Sequence, residues 1–223
     1  MPAALQVLSP VLVAVLAGLA IVVGVLVVWA TRSVQFISNN RVGVVEKLWS
    51  RRGSVESGLI ALRGEAGYQP DVLRGGIHLF RPFQYRVHRV PLVTIPQGQI
   101  GYVFARDGEP LPPTQTLARF PDRADYGDVL AFLANGGQRG PQRRILREGT
   151  YAINLAQFVV ITAAGVHGLP LERSDRATLD EMMTVIEARN GFEPVVVTGH
   201  DDVLGVVTIH DGPSWIVTTP STS

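Results

Sequence analysis

The residue types best suited to chemistry gather near the C-terminus, where His200, Asp201 and Asp202 stand together and His210 follows. Two imidazoles with two carboxylates are the ligand set of a metal-dependent hydrolase, in which a bound divalent ion would acidify a water. Their spacing fits neither one face of a helix nor alternate strand positions, so a turn between strands is the simpler reading. Cysteine is absent from all 223 residues, which removes disulfides, thiolate metal sites, iron–sulfur clusters and thiol nucleophiles together. No glycine-rich phosphate loop with lysine, no GxGxxG after a strand, no HExxH and no GxSxG occurs. Nucleotide cofactors and the commonest hydrolase chemistries therefore have no motif to rest on. Gly136 to Arg144 reads GGQRGPQRR, a composition suited to a phosphate or headgroup, yet a solvated loop explains it better. No catalytic residue, cofactor or metal is assigned.

What remains is electrostatic. The formal net charge is +1, so no global field calls for nucleic acid. The charge is unevenly spread: Arg32 to Arg106 carries eleven basic and four acidic residues, net +7, while Asp107 to Ser223 carries nine and fifteen, net −6. Beside an anionic leaflet each arginine near the surface contributes about 1 kcal/mol, within a Debye length. Arg32, Arg41, Arg51 and Arg52, with Trp29 at the interface, form the expected contact with anionic lipid headgroups.

The element that must position them precedes them. No charged side chain occurs in the first 31 residues, and Val11 to Trp29 reads VLVAVLAGLAIVVGVLVVW. Nineteen residues at about 1.5 Å each cross most of a ~30 Å hydrocarbon core, and Leu5 to Leu8 extend the run. A cleaved signal peptide, leaving a secreted β protein, is the competing interpretation. The start MPAALQVLSP has no basic n-region and the apolar run exceeds the usual h-region, which favours an uncleaved single-pass anchor. Basic residues follow the span and none precedes it, so the positive-inside rule places the body in the cytoplasm, at the cell membrane.

The body resembles itself. Arg41-Val42-Gly43-Val44-Val45, Gln99-Ile100-Gly101-Tyr102-Val103 and Val203-Leu204-Gly205-Val206-Val207 share an aliphatic-Gly-X-Val core. The first two are followed by Val72-Leu73-Arg74-Gly75-Gly76-Ile77-His78 and Ile145-Leu146-Arg147-Glu148-Gly149-Thr150-Tyr151, then by Phe83 to Val90 and Phe158 to Thr162. β-Branched and aromatic residues make these strands, with Phe83, Tyr85 and Val87 alternating against polar neighbours, and glycine supplies the turns. Two helices are expected. One is Ala124 to Ala134, capped by Asp122 or Asp125, with Val129, Leu130 and Leu133 inward. The other runs from a Ser174 cap to Arg189, with Leu179, Met182, Met183 and Ile186 inward and Gly191 at C′.

The order span, Ile37-Ser38-Asn39-Asn40-Arg41-Val42-Gly43-Val44-Val45-Glu46-Lys47, Val72 to His78, then Pro96-Gln97-Gly98-Gln99-Ile100-Gly101 running on to Pro112, is similar to the amino-terminal region of bacterial flotillin-like proteins. These belong to the stomatin–prohibitin–flotillin (SPFH) superfamily. The resemblance covers roughly residues 36 to 212 and implies a membrane-tethered scaffold that self-associates and organises lipid microdomains, often beside an NfeD-like membrane partner, without catalysis. The family continues into a complete SPFH domain and an Ala/Glu-rich coiled coil; here the third unit departs from the second after Pro213, so a fragment is expected.

The expected fold is α+β and mainly β: one transmembrane helix, then repeated small antiparallel β modules with one or two short helices. The division is 1–31 anchor, 32–93 first module, 94–170 second module with an inserted helix and loop, 171–193 helical connector, and 194–223 the start of a third module.

Overall fold

The computed structural model describes residues 10–30, 33–122, 124–171 and 173–195. His200, Asp201, Asp202, His210, Arg32 and all but the first two residues of the expected third module lie outside them. The fold is α+β with mostly strands, in small antiparallel sheets. Two compact units divide the chain, Met1–Leu92 and Val93–Ser223.

In the first unit, helix α1 spans Pro10–Ala30. Its 21 residues extend about 31 Å, and Leu12–Trp29 is long and apolar enough to cross a membrane, the length and composition that a signal sequence near an N-terminus also shows. Five strands follow: β1 (Val34–Ile37), β2 (Arg41–Lys47), β3 (Gly67–Leu73), β4 (Gly76–Leu79) and β5 (Tyr85–Pro91). β1 pairs with β4, and β2 lies between β3 and β5. As the central strand, flanked on both edges by β3 and β5, β2 buries Val42, Gly43, Val44 and Val45 in succession.

The second unit holds β6 (Val93–Ile95), β7 (Tyr102–Ala105), helix α2 (Val129–Ala134), β8 (Gly140–Pro141), β9 (Gly149–Tyr151), β10 (Phe158–Thr162), β11 (Gly165–His167) and helix α3 (Arg173–Ala188). β6 pairs with β9; the larger sheet runs β11-β10-β7-β8. All five residues of β10 are buried.

The repeat read in the sequence is a repeat of register. Ile37 opposite Gly76 in the first module is matched by Ile95 opposite Gly149 in the second. Val45 opposite Val87 is matched by Val103 opposite Val160, and Glu46 opposite Tyr68 by Phe104 opposite Pro141. The crowded glycines correspond too: a Cβ on Gly43 would stand 3.0 Å from the Ile37 Cδ1, and one on Gly101 2.7 Å from the Ile95 Cδ1. Only a residue without Cβ lets that isoleucine cross the strand. Gly76 and Gly149 open β4 and β9 at φ +140° and +144°, so the expected turns sit where glycine was expected to make them.

Several local expectations are corrected. Phe83 is not part of a strand face: it sits in the turn before β5 at φ +58°, exposed. α2 is shorter than the sequence suggested, because Asp128 is its cap, accepting from the Ala131 amide at 2.8 Å. Asp125 instead closes a turn onto the Gly127 amide, ending any earlier helix. Its inward residues are Val129 and Phe132, while Leu130 is exposed; Phe132 joins Phe120, Tyr126 and Phe158 in one aromatic cluster. The basic glycine run is a solvated loop only in part: its arginines are exposed while Gly137 and Gly140 are buried. Gly137 lies against the Phe132 ring, Gly140–Pro141 is strand β8, and the Arg144 guanidinium covers Phe120 at 5.1 Å while donating to the Ala124 carbonyl.

α3 contains Ser174 rather than being capped by it. At its other end Asn190, not Gly191, takes the positive φ of 49°. The Gly191 amide donates to Ile186 O and the Asn190 amide to Glu187 O, the paired bonds of a Schellman stop. Gly191 is needed for closeness: a Cβ there would meet the Tyr102 hydroxyl at 3.1 Å. Leu179 and Ile186 of α3 pack on Phe104, Val159 and Ile161, with Met182 and Met183 partly buried beside them.

Candidate membrane interface

The two modules share a ladder but not a surface, and the difference defines the site. In the β1–β4 pair, Val34 lies opposite Leu79 and Phe36 opposite Ile77. Alternation turns these four side chains to one face and Gln35 and Ile37 to the other. The outer four are 43%, 79%, 62% and 71% exposed in that order of naming. In the β6–β9 pair, the positions equivalent to Phe36 and Ile77 hold Thr94 and Thr150, opposite each other with hydroxyl oxygens 3.4 Å apart. The register therefore accepts a polar pair, and the first module carries an apolar one.

The opposite substitution occurs on the other sheet. Phe104, Val159 and Ile161, which receive α3, correspond to Glu46, Arg86 and His88. There the Glu46 carboxylate accepts from the His88 ring at 2.8 Å and from Arg86 at 3.5 Å. This polar triad belongs to a face that no helix covers among the described residues. In the second module the helix is clasped by charge as well: Asp175, 5% exposed, meets Arg106 at 3.4 Å and Arg139 at 3.1 Å, and Arg106 also donates to Ala156 O.

The first unit exposes further aromatics. Trp29, the penultimate residue of α1, is exposed. Trp49 and Phe83 are both exposed, and the Trp49 indole donates to the Phe83 carbonyl at 3.2 Å. A phenylalanine held in the left-handed region and turned to solvent is a costly arrangement for structure alone.

The expected arginines are distributed as follows. Arg51 and Arg52 occupy the exposed turn after β2, and Arg52 donates to the Arg63 carbonyl. Arg41 opens β2, at the sheet end opposite Lys47 and Trp49, about 20 Å along the strand. Lys47 is committed internally, donating to Gly64 O at 2.6 Å and to Ser50 Oγ. The Phe36–Ile77 face was missed by sequence reasoning. The signal was present: aligning the two repeats sets Phe36 against Thr94 and Ile77 against Thr150.

Among the described residues no group of three His, Cys, Asp or Glu side chains could hold a metal. No protein-family model, curated protein or solved structure matches this chain.

Proposed function

We propose that the chain is a membrane-anchored scaffold of flotillin type, held by α1 as an uncleaved single-pass tether with its body in the cytoplasm, and self-associating to organise lipid without catalysis. The first β module rests on the bilayer through Val34, Phe36, Ile77 and Leu79, and Arg51 and Arg52 meet anionic headgroups. One observation carries this: at matched register the tethered module presents phenylalanine and isoleucine where its repeat presents two threonines. A fold-imposed feature would recur in both. Three residues separate α1 from β1, so the apolar face begins where the span leaves the membrane. Exposed apolar faces of this kind are retained for contact with lipid or protein.

The absence of cysteine makes the test direct. Ile77→Cys and Thr150→Cys, each labelled with an environment-sensitive fluorophore in the full chain in vesicles, report the two equivalent positions. Blue-shifted emission at 77 and water-like emission at 150 are expected; equal emission at both overturns the bilayer contact. The intact N-terminal mass from membrane fractions tests the uncleaved tether. The metal-dependent hydrolase using His200, Asp201, Asp202 and His210 is the alternative, and unchanged melting with zinc or chelator counts against it.

A further inference from the structure

Among the described residues the outer edge of β5 is open, and its register shows which groups it offers. Leu48 N donates to Gln84 O and Leu92 N to Asn40 O, so in the β2–β5 ladder Gln84, Arg86, His88 and Val90 turn their backbone groups toward β2. Tyr85, Val87 and Arg89 turn theirs away. Among the described residues β5 pairs with β2 alone, and a cavity of about 1330 Å3 is lined by Tyr85, Val87 and Arg89 together with Val25 and Val28 of α1.

The second module shows how this edge is closed. Val160 and Thr162, the register equivalents of Val87 and Arg89, pair antiparallel with His167 and Gly165 of β11. In the first module the chain instead runs from β5 through Leu92 into β6. Among the described residues, no strand of this chain completes the sheet.

We infer that a second copy of this chain supplies the completing strand, by antiparallel β5–β5 pairing centred on Val87. That register sets Tyr85 against Arg89 of the second copy and Val87 against Val87. It engages all six outward N–H groups and leaves Pro91, which has none, outside the ladder. Arg86 falls opposite His88 of the second copy, so no two arginines oppose each other. Tethering in one bilayer raises the effective concentration of the two edges. The inference rests on the self-associating scaffold proposed above and names the surface that associates. Charged side chains such as Arg86 and Arg89 also serve to block an edge, and the experiment decides between the two roles.

Val87→Cys in the full chain, reconstituted in vesicles and mildly oxidised, places two thiols in a hydrogen-bonded pair with Cα atoms about 5.5 Å apart, within disulfide reach. Cross-linked dimer is expected at roughly tenfold the yield of a Thr94→Cys control, the margin that a held pair gains over chance encounter. Val87→Pro removes an outward N–H and spares the β2 ladder, so it shifts the chain toward monomer in photobleaching counts with an unchanged circular dichroism spectrum. If the parent chain is oligomeric while Val87→Cys matches its control and Val87→Pro changes nothing, the β5 edge is overturned and self-association stands. A monomeric parent chain overturns both.

Discussion

Replacing Phe36 and Ile77 by threonine gives the first module the pair that its repeat already carries. Phe36 and Ile77 leave 62% and 71% of their surface open, and complete burial of such a side chain is worth about 1.5–3 kcal/mol. Taking about two thirds of a middle value, each contributes ~1.5 kcal/mol on entering the hydrocarbon boundary. Threonine keeps one methyl and adds a hydroxyl, so the double variant loses about 3 kcal/mol, near a hundredfold in partitioning. The assay is cosedimentation of a chain beginning at Ser33 with neutral vesicles, scored as a partition coefficient. Folding is not at risk in the same degree, because Thr94 and Thr150 occupy the same ladder position at 3.4 Å; circular dichroism checks it. Partitioning of the double variant within about twofold of the parent, or a ~0.4 kcal/mol difference, refutes the argument. Anionic vesicles add a second arm: Arg51→Gln with Arg52→Gln lowers binding by about 2 kcal/mol at low salt and by little at ~1 M salt. Equal binding of the parent to neutral and anionic vesicles at low salt refutes the headgroup contact.

Asp175→Asn leaves Arg106, 3% exposed, with no carboxylate, which destabilises the second module by about 3–5 kcal/mol in denaturant unfolding. Arg139→Ala, whose side chain is 51% exposed, costs below ~1 kcal/mol; equal costs contradict the assignment of Arg106 as the buried partner. His167 has its pKa held below the ordinary value by burial, so the unfolded chain binds a proton more readily than the folded one. Its penalty is absent above about pH 6.5 and grows as pH falls below it, and His167→Gln flattens that part of the stability profile. Gly101→Ala drives a Cβ to 2.7 Å from the Ile95 Cδ1 and costs about 1–3 kcal/mol; Ile95→Val removes that atom and restores much of the loss. The same rescue with Ile37→Val is weaker for Gly43→Ala, since Val87 and Leu73 crowd Gly43 at 3.0 and 3.2 Å as well.

Much of the architecture was legible because it rests on short-range signals. An uninterrupted apolar run specifies α1 by length alone, and the recurrence of aliphatic-Gly-X-Val marks two copies of one ladder. Element ends were less legible. Asp122 and Asp125 are the caps expected from the sequence, and the cap at Asp128 lets the helix start where Phe132 reaches the aromatic cluster. Phe83 reads as the first residue of an alternating strand, yet the turn before β5 takes it out of the sheet. GGQRGPQRR carries the composition of a loop, but Phe104 and Ala105 needed a partner strand, and Gly140–Pro141 supplies it.

Sequence by itself determined that an uncharged span precedes a duplicated β body, since both are patterns of residue type along the chain. Tertiary structure decided which side of each copy faces outward. Alternation within Val34-Gln35-Phe36-Ile37 has no preferred direction until Ile37 finds the space beside Gly43. Once it does, the two-residue period sends Phe36 to the opposite face. In the second copy Ile95 makes the same choice beside Gly101, and Thr94 is turned outward. The apolar face, the polar triad and the open β5 edge are all products of long-range pairing, which no local window of residues contains.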